Sequence, residues 1–212
     1  MNDNLGAPPE TQPAPPPAQE VKRFFKELLE TLGLALVLFL VINLVSARVR
    51  VEGYSMLPTL DNNQYVLVSR LTPRFGELER GDIVVFRPPM YPEADWMERL
   101  LGFPTLPGQY EDYIKRVIGL PGETVTIAGG VVKINGVPLA EPYTAEPPNY
   151  SGEWVVPEGH LFVLGDNRNS SSDSHSWSYL PIESVLGKAV LVYWPFSDWM
   201  VLSSDQAALA AP

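Results

Sequence analysis

The chain has 212 residues, 45% of them hydrophobic, and a formal net charge of −10 at pH 7. It has no cysteine and only His160 and His175, which excludes disulfides and thiolate chemistry and argues against a histidine-rich metal site. The acidic balance argues against nucleic acid as the main partner, and no Gly-rich phosphate loop is present.

Met1 to Glu20 holds six prolines and no aromatic residue, the composition of a disordered tail. The basic residues Lys22, Arg23 and Lys26 follow, and then 17 residues, Thr31 to Ala47, run without a charge. That length falls within the range that spans a bilayer, and Phe24 and Phe25 can extend it at the interface. Three readings compete for the segment. A buried soluble helix is disfavoured because the segment is apolar on every face. A cleavable signal peptide is the serious rival, since Val45-Ser46-Ala47 places small residues where a cleavage site needs them. Its basic leader would be about 30 residues long with a Pro-rich start, unusual for that class. The reading adopted is a retained anchor. Charge alone sets its orientation poorly, because Arg48 and Arg50 follow it closely.

Beyond Ala47 about 165 residues remain, enough for one domain with its own core. They read as β-rich. Gln64 to Ser69 and Asp82 to Phe86 are short Val-rich runs bounded by turn residues. Arg87 to Asp112 is a Pro-rich excursion with one helical turn expected near Trp96. Asp112 to Ile118 reads as a strand with Tyr113, Lys115 and Val117 on one face and Ile114 and Arg116 on the other. Glu123 to Ile127 and Val131 to Ile134 form a hairpin, and Asn135-Gly136 then favours a two-residue turn. Trp154 to Pro157, His160 to Leu164 and Val185 to Trp194 supply further strands.

Three blocks carry chemistry. The first is Gly53-Tyr54-Ser55-Met56-Leu57-Pro58-Thr59-Leu60, eight residues from Ala47 to its serine. Those eight residues span at most about 26–29 Å, which keeps Ser55 near the bilayer. Pro58 stands where a Ser-x-x-Lys enzyme would have lysine, so that arrangement is excluded. The second is Lys115, within Tyr113 to Gly122. A lysine in a strand usually faces water from an edge. It can act as a base only if an apolar pocket removes its charge. The third is Gly165-Asp166-Asn167-Arg168-Asn169-Ser170-Ser171-Ser172-Asp173-Ser174-His175. Its acids, fixed cation and hydroxyls suit either a solvated loop or a hydrogen-bonded network bracing a neighbour.

These blocks, with Gly81 to Phe86 and Val156-Pro157-Glu158-Gly159 before Phe162-Val163-Leu164, occur in one order between Val51 and Trp194. In that order the chain resembles the bacterial type I signal peptidases, membrane-anchored Ser/Lys proteases that remove signal peptides from secreted proteins. The resemblance implies a mainly β fold of antiparallel, coiled, barrel-like sheets preceded by one transmembrane helix. It implies Ser55 as nucleophile and neutral Lys115 as base. Ser171 would orient the amine, Asp166 and Arg116 would brace the strand against the loop, and Asp173 would support the same loop. Part of the oxyanion hole would be the Ser55 N–H. Val51, Met56, Leu60, Tyr113 and Ile114 would line shallow pockets that admit only small side chains of an extended substrate. No cofactor or metal is implied.

Two positions depart from the family pattern. Gly53 stands where some members place a hydroxyl that donates to the oxyanion, and His175 stands where arginine is common. Histidine titrates near neutrality and arginine does not, so the Asp173–His175 contact is expected to be weaker and pH-sensitive.

The implied layout is a tail over 1–20, an anchor segment over 21–47, a catalytic domain over 48–202 outside the cytoplasm, and a C-terminal tail over 203–212. Expected partners are signal-peptide-bearing pre-proteins, the lipid bilayer of the bacterial plasma membrane, and the secretion translocon. Some of Trp177, Tyr179, Tyr193, Trp194, Phe196 and Trp199 would rest on the membrane surface. Two other readings remain: a same-fold peptidase with one specialised client, and a catalytically silent module that only binds signal peptides. Intact Ser55 and Lys115 argue against the second.

Overall fold

The computed structural model describes residues 17–72, 76–89 and 111–204. The chain divides into two units, Met1–Val41 and Ile42–Pro212. Helix α1, Pro17–Val45, accounts for the described part of the first. It begins inside the stretch expected to be a disordered tail, because proline is tolerated in a first helical turn, where its missing N–H has no partner to lose. Glu20–Val45 is long and apolar enough to cross a membrane, one such helix among the described residues. Its basic end carries the pairs Arg23–Glu27 and Lys26–Glu30, four residues apart.

The second unit is a pair of antiparallel sheets. The larger runs β1-β2-β11-β3-β4-β9-β10, with β12 pairing on β11. These are β1 Ser46–Arg50, β2 Tyr65–Ser69, β3 Ile83–Phe86, β4 Tyr113–Gly119, β9 His160–Leu164, β10 Leu180–Pro181, β11 Val185–Trp194 and β12 Met200–Val201. The smaller runs β7-β6-β5-β8, from β5 Thr124–Ala128, β6 Val131–Ile134, β7 Val137–Pro138 and β8 Gly152–Val155. The mainly β, coiled antiparallel architecture expected from the sequence is the one observed.

Strand β1 corrects the expected boundary of the membrane segment. Ser46 and Ala47 are already paired with Ser69 and Val68. An apolar run followed by Arg48-Val49-Arg50 conceals a period of two: Ala47 and Val49 pack against the core, while Arg48 and Arg50 face out. The strand at Trp154 to Pro157 lies two residues earlier than expected, at Gly152–Val155. Asn135 and Gly136 both have positive φ, 51° and 83°, as the tight turn between β6 and β7 requires. The long β11 is bent by register shifts between Ala189 and Leu191 and between Val192 and Trp194, which curl the larger sheet. Residues 90–110, with the helical turn expected near Trp96, and both outermost tails lie outside the described residues.

Apolar side chains form three clusters. One, with Val51, Met56, Leu60, Val66 and Val192, packs beneath the chain between β1 and β2. A second, with Val84, Phe86, Val117 and Leu161, lies on β3, β4 and β9. The third joins the two sheets, because Ile118, Phe162 and Leu164 of the larger pack with Val125, Ile127, Val132 and Ile134 of the smaller. Strand β4 therefore lies between β3 and β9 with both faces covered. Its central position, not its composition, buries the charged residues Lys115 and Arg116.

Candidate active site

Ser55 sits on the turn between β1 and β2. Gly53 enters it with φ +90°, its N–H donating to Asn62 Oδ1 at 3.1 Å. Val51, Met56 and Leu60 anchor the turn from below, each at most 2% exposed. The loop after β9 holds it from the side: Asn167 N–H donates to Ser55 O at 3.0 Å and Asn167 Nδ2 to Tyr54 O at 3.1 Å. Gly165 must be glycine, since a Cβ there would lie 2.5 Å from Ser55 O and 2.3 Å from Ser171 Oγ.

Lys115 reaches this turn from the middle of β4. Its Nζ lies 2.7 Å from Ser55 Oγ and 2.9 Å from Ile114 O, with the Tyr113 ring 5.3 Å away. The residue is 4% exposed. Burial pushes the amine down from 10.5 to about 8, against the opposing pull of the Asp173 and Asp166 carboxylates. An amine that sheds its charge near pH 8, in hydrogen-bond contact with a hydroxyl, can take that hydroxyl's proton.

A cavity of about 520 Å³ opens over the pair. Tyr113 and Ile114 line it, together with Val49, Val85, Arg48 and Arg50. Val51, Met56 and Leu60 do not. The resemblance implied a substrate wall at these three residues; here they lie in the core cluster under the serine turn.

Behind the pair lies a buried ionic brace. Arg116 makes a two-pronged contact with Asp166, at 2.8 and 2.6 Å, and donates to Gly81 O at 2.8 Å. Thr59 Oγ1 donates to Asp166 Oδ2 at 2.5 Å, which ties the serine block into the brace. Asp173 accepts from Gly165 N–H at 2.9 Å and caps the short helix α2, Ser174–Trp177. His175 Nδ1 lies 2.6 Å from Asp173 Oδ1, and its ring stacks on Tyr150 at 4.0 Å.

Ser171 falls beside the pair without joining it. Its Oγ is buried against Gly165 with no hydrogen-bond partner among the described residues. The Ser55 N–H likewise donates to nothing among the described residues. Thr59, Asn167 and Arg168 are contact residues that sequence reasoning left without roles, although all three lie inside the quoted blocks. Glu141, Tyr143 and Tyr150 gave no signal at all. Among the described residues no group of three or more His, Cys, Asp or Glu side chains is arranged to hold a metal ion.

A serine hydroxyl against a buried, readily neutralised amine, on a coiled antiparallel sheet, defines a class of hydrolase. A family model described as signal peptidase, peptidase S26, matches residues 24–194. A signal peptidase I from Leptolyngbya laminosa is 44% identical over 88% of this chain and 89% of its own. A probable signal peptidase I-1 from Synechocystis is 40% identical over 92% of this chain and 93% of its own. A solved signal peptidase I from Enterococcus faecalis is 32% identical, with a TM-score of 0.42 over 53% of this chain and 96% of that one. The chain belongs to the signal peptidase family, peptidase S26, and is a serine peptidase. Signal peptidases act on preproteins that carry signal peptides.

Proposed function

We propose that this chain is a membrane-anchored endopeptidase that removes signal peptides after small residues, using Ser55 and Lys115 through an acyl-enzyme. The observation that carries this is the 2.7 Å contact between Lys115 Nζ and Ser55 Oγ beneath an open cavity. Neutral Lys115 takes the Ser55 proton as Oγ attacks the scissile carbonyl. The resulting ammonium gives that proton to the departing amine, and the peptide bond breaks. Lys115, neutral again, then activates the water that hydrolyses the ester.

The Ser55 N–H has no acceptor among the described residues and is the natural donor to the oxyanion. Ser171 does not touch the amine here, but its buried, partnerless hydroxyl is the group that would orient it by accepting the N–H a neutral amine has to spare beyond Ile114 O. Arg116, Asp166 and Asp173 brace the loop. Tyr113 and Ile114 form the wall that favours small substrate side chains, and Val51, Met56 and Leu60 act from behind by fixing the serine turn.

Helix α1 is the anchor, with the N-terminal tail inside the plasma membrane and the catalytic unit outside, beside the translocon that delivers pre-proteins. The apolar length of Glu20–Val45 supports the anchor.

Cleavage of a generic secretory precursor by the detergent-solubilised chain tests the proposal, with Ser55→Ala and Lys115→Ala alongside. Wild type alone should cut, after a small residue. Cleavage by either folded variant overturns the Ser/Lys assignment.

A further inference from the structure

The connection from β7 to β8 runs along the back of the loop that follows β9, and it touches that loop at successive points. Glu141 accepts from Arg168 Nη1 and Nη2 at 2.8 and 2.6 Å, and the Arg168 side chain is wholly buried. The guanidinium groups of Arg116 and Arg168 both lie over the Tyr143 ring, with Cζ 4.0 and 5.9 Å from its centre, and the Tyr143 hydroxyl donates to Glu141. Asn149 N–H donates to Asn169 Oδ1 at 2.9 Å, and Asn169 Nδ2 donates to Pro147 O at 3.0 Å. Tyr150 stacks on His175.

The far side of the same loop holds the reacting groups. Arg168 Nε donates to Gly165 O, Gly165 packs against Ser55 O, and Asn167 N–H holds Ser55 O. Arg116 is the residue beside Lys115 on β4. The ring adds a further attraction to two cations already paired with carboxylates, since its face is electron-rich. Tyr143 is 4% exposed, so this part of the connection is buried against both cations and not laid over the surface.

We propose that Glu141 to Tyr150 is a positioning strap for the Ser55–Lys115 pair, with Tyr143 its central residue, acting through Arg116 and Arg168. The inference rests on Ser55 being the nucleophile. The strap touches neither the substrate nor the reacting atoms; it sets where the loop holds the Ser55 backbone. A small displacement of a reacting group can cost about 100-fold in rate, so the effect belongs in kcat and not in KM.

The test compares steady-state cleavage of a secretory precursor by wild type, Tyr143→Leu, Tyr143→Phe, Asn169→Ala and Ser55→Ala, with melting temperatures for each. Tyr143→Leu should lose about 10- to 100-fold in kcat with KM kept. Tyr143→Phe keeps the ring and should recover most of that loss. Asn169 is exposed, so Asn169→Ala remains folded and cuts only the middle of the strap. A fall of about threefold in its kcat is expected, on the order of one hydrogen bond's net worth. If Tyr143→Leu does not fold, Asn169→Ala decides alone. Variants with lowered melting temperature but unchanged kcat overturn the strap, because a merely structural role moves only stability. Cleavage by Ser55→Ala would instead overturn the nucleophile assignment, a failure distinct from that of the strap.

Discussion

The larger sheet carries Lys115 on β4 and frames Ser55 between β1 and β2, whereas the smaller sheet contributes no atom to their contact. The two differ in what they bury. Strand β4 buries a lysine and an arginine at its centre, while the strands of the smaller sheet bury Val125, Ile127, Val132 and Ile134. Charge buried in a sheet is costly and persists where something needs it. Purely apolar burial needs no such explanation. The larger sheet keeps unfavourable groups in place; the smaller packs against it and presents a connection to its back.

Replacing Lys115 with methionine breaks the comparison most sharply. Cleavage should be abolished to the assay limit while the protein becomes more stable at pH 7. The sign follows from the lowered folded pKa. Below pH 8 the amine is charged in both states and the folded chain bears the full burial cost; between about 8 and 10.5 that cost is relieved. The gain at pH 7 is up to about 3 kcal/mol, reduced by the two hydrogen bonds lost. Chemical denaturation at pH 7 and pH 10 measures it, and the advantage of the variant should shrink at the higher pH.

Arg116→Ala comes next. It leaves the Asp166 carboxylate buried without its cation and should cost about 3–5 kcal/mol. In the smaller sheet, Ile127→Ala should cost about 2–5 kcal/mol through a cavity alone. The sharp contrast is in pH response: Ile127→Ala keeps the wild-type pH–rate profile, and Arg116→Ala does not.

The wild-type pH profile is a finer test. The rate should climb tenfold per pH unit well below 8 and level off above it, as Lys115 loses its proton. A flat profile from pH 6 to 9 would remove the amine as base. The smallest expected effect is Ile127→Val, about 0.5–1.5 kcal/mol in stability with kcat unchanged.

How much was legible follows from the range of each interaction. The strand at Val185 to Trp194 was readable because its period-two burial is local, and that at His160 to Leu164 because a short apolar run between Gly159 and Gly165 is local too. The Ser55 and Lys115 blocks were readable because their resemblance to a family is written in contiguous residues. Strand β1 was hidden, since the apolar helix runs into it without a turn signal. The burial of Met56 was not legible, because whether it points to solvent or to core depends on the turn between β1 and β2. Tyr143 was invisible: an aromatic residue in a Pro-rich connection has no local pattern, and its two cations lie 27 and 25 residues away in sequence.

The sequence by itself determined the β-rich class, an apolar segment long enough to span a bilayer, and the serine and lysine that chemistry would need. Those are properties of composition, period and short motifs. Only the tertiary structure decided that Lys115 is buried at the centre of a sheet and not at its edge, that its amine meets Ser55, and that a connection from the second sheet lies behind both. Desolvation, ion pairing and ring–cation contact all depend on which residues the fold brings within a few ångströms, and chain order does not fix that distance.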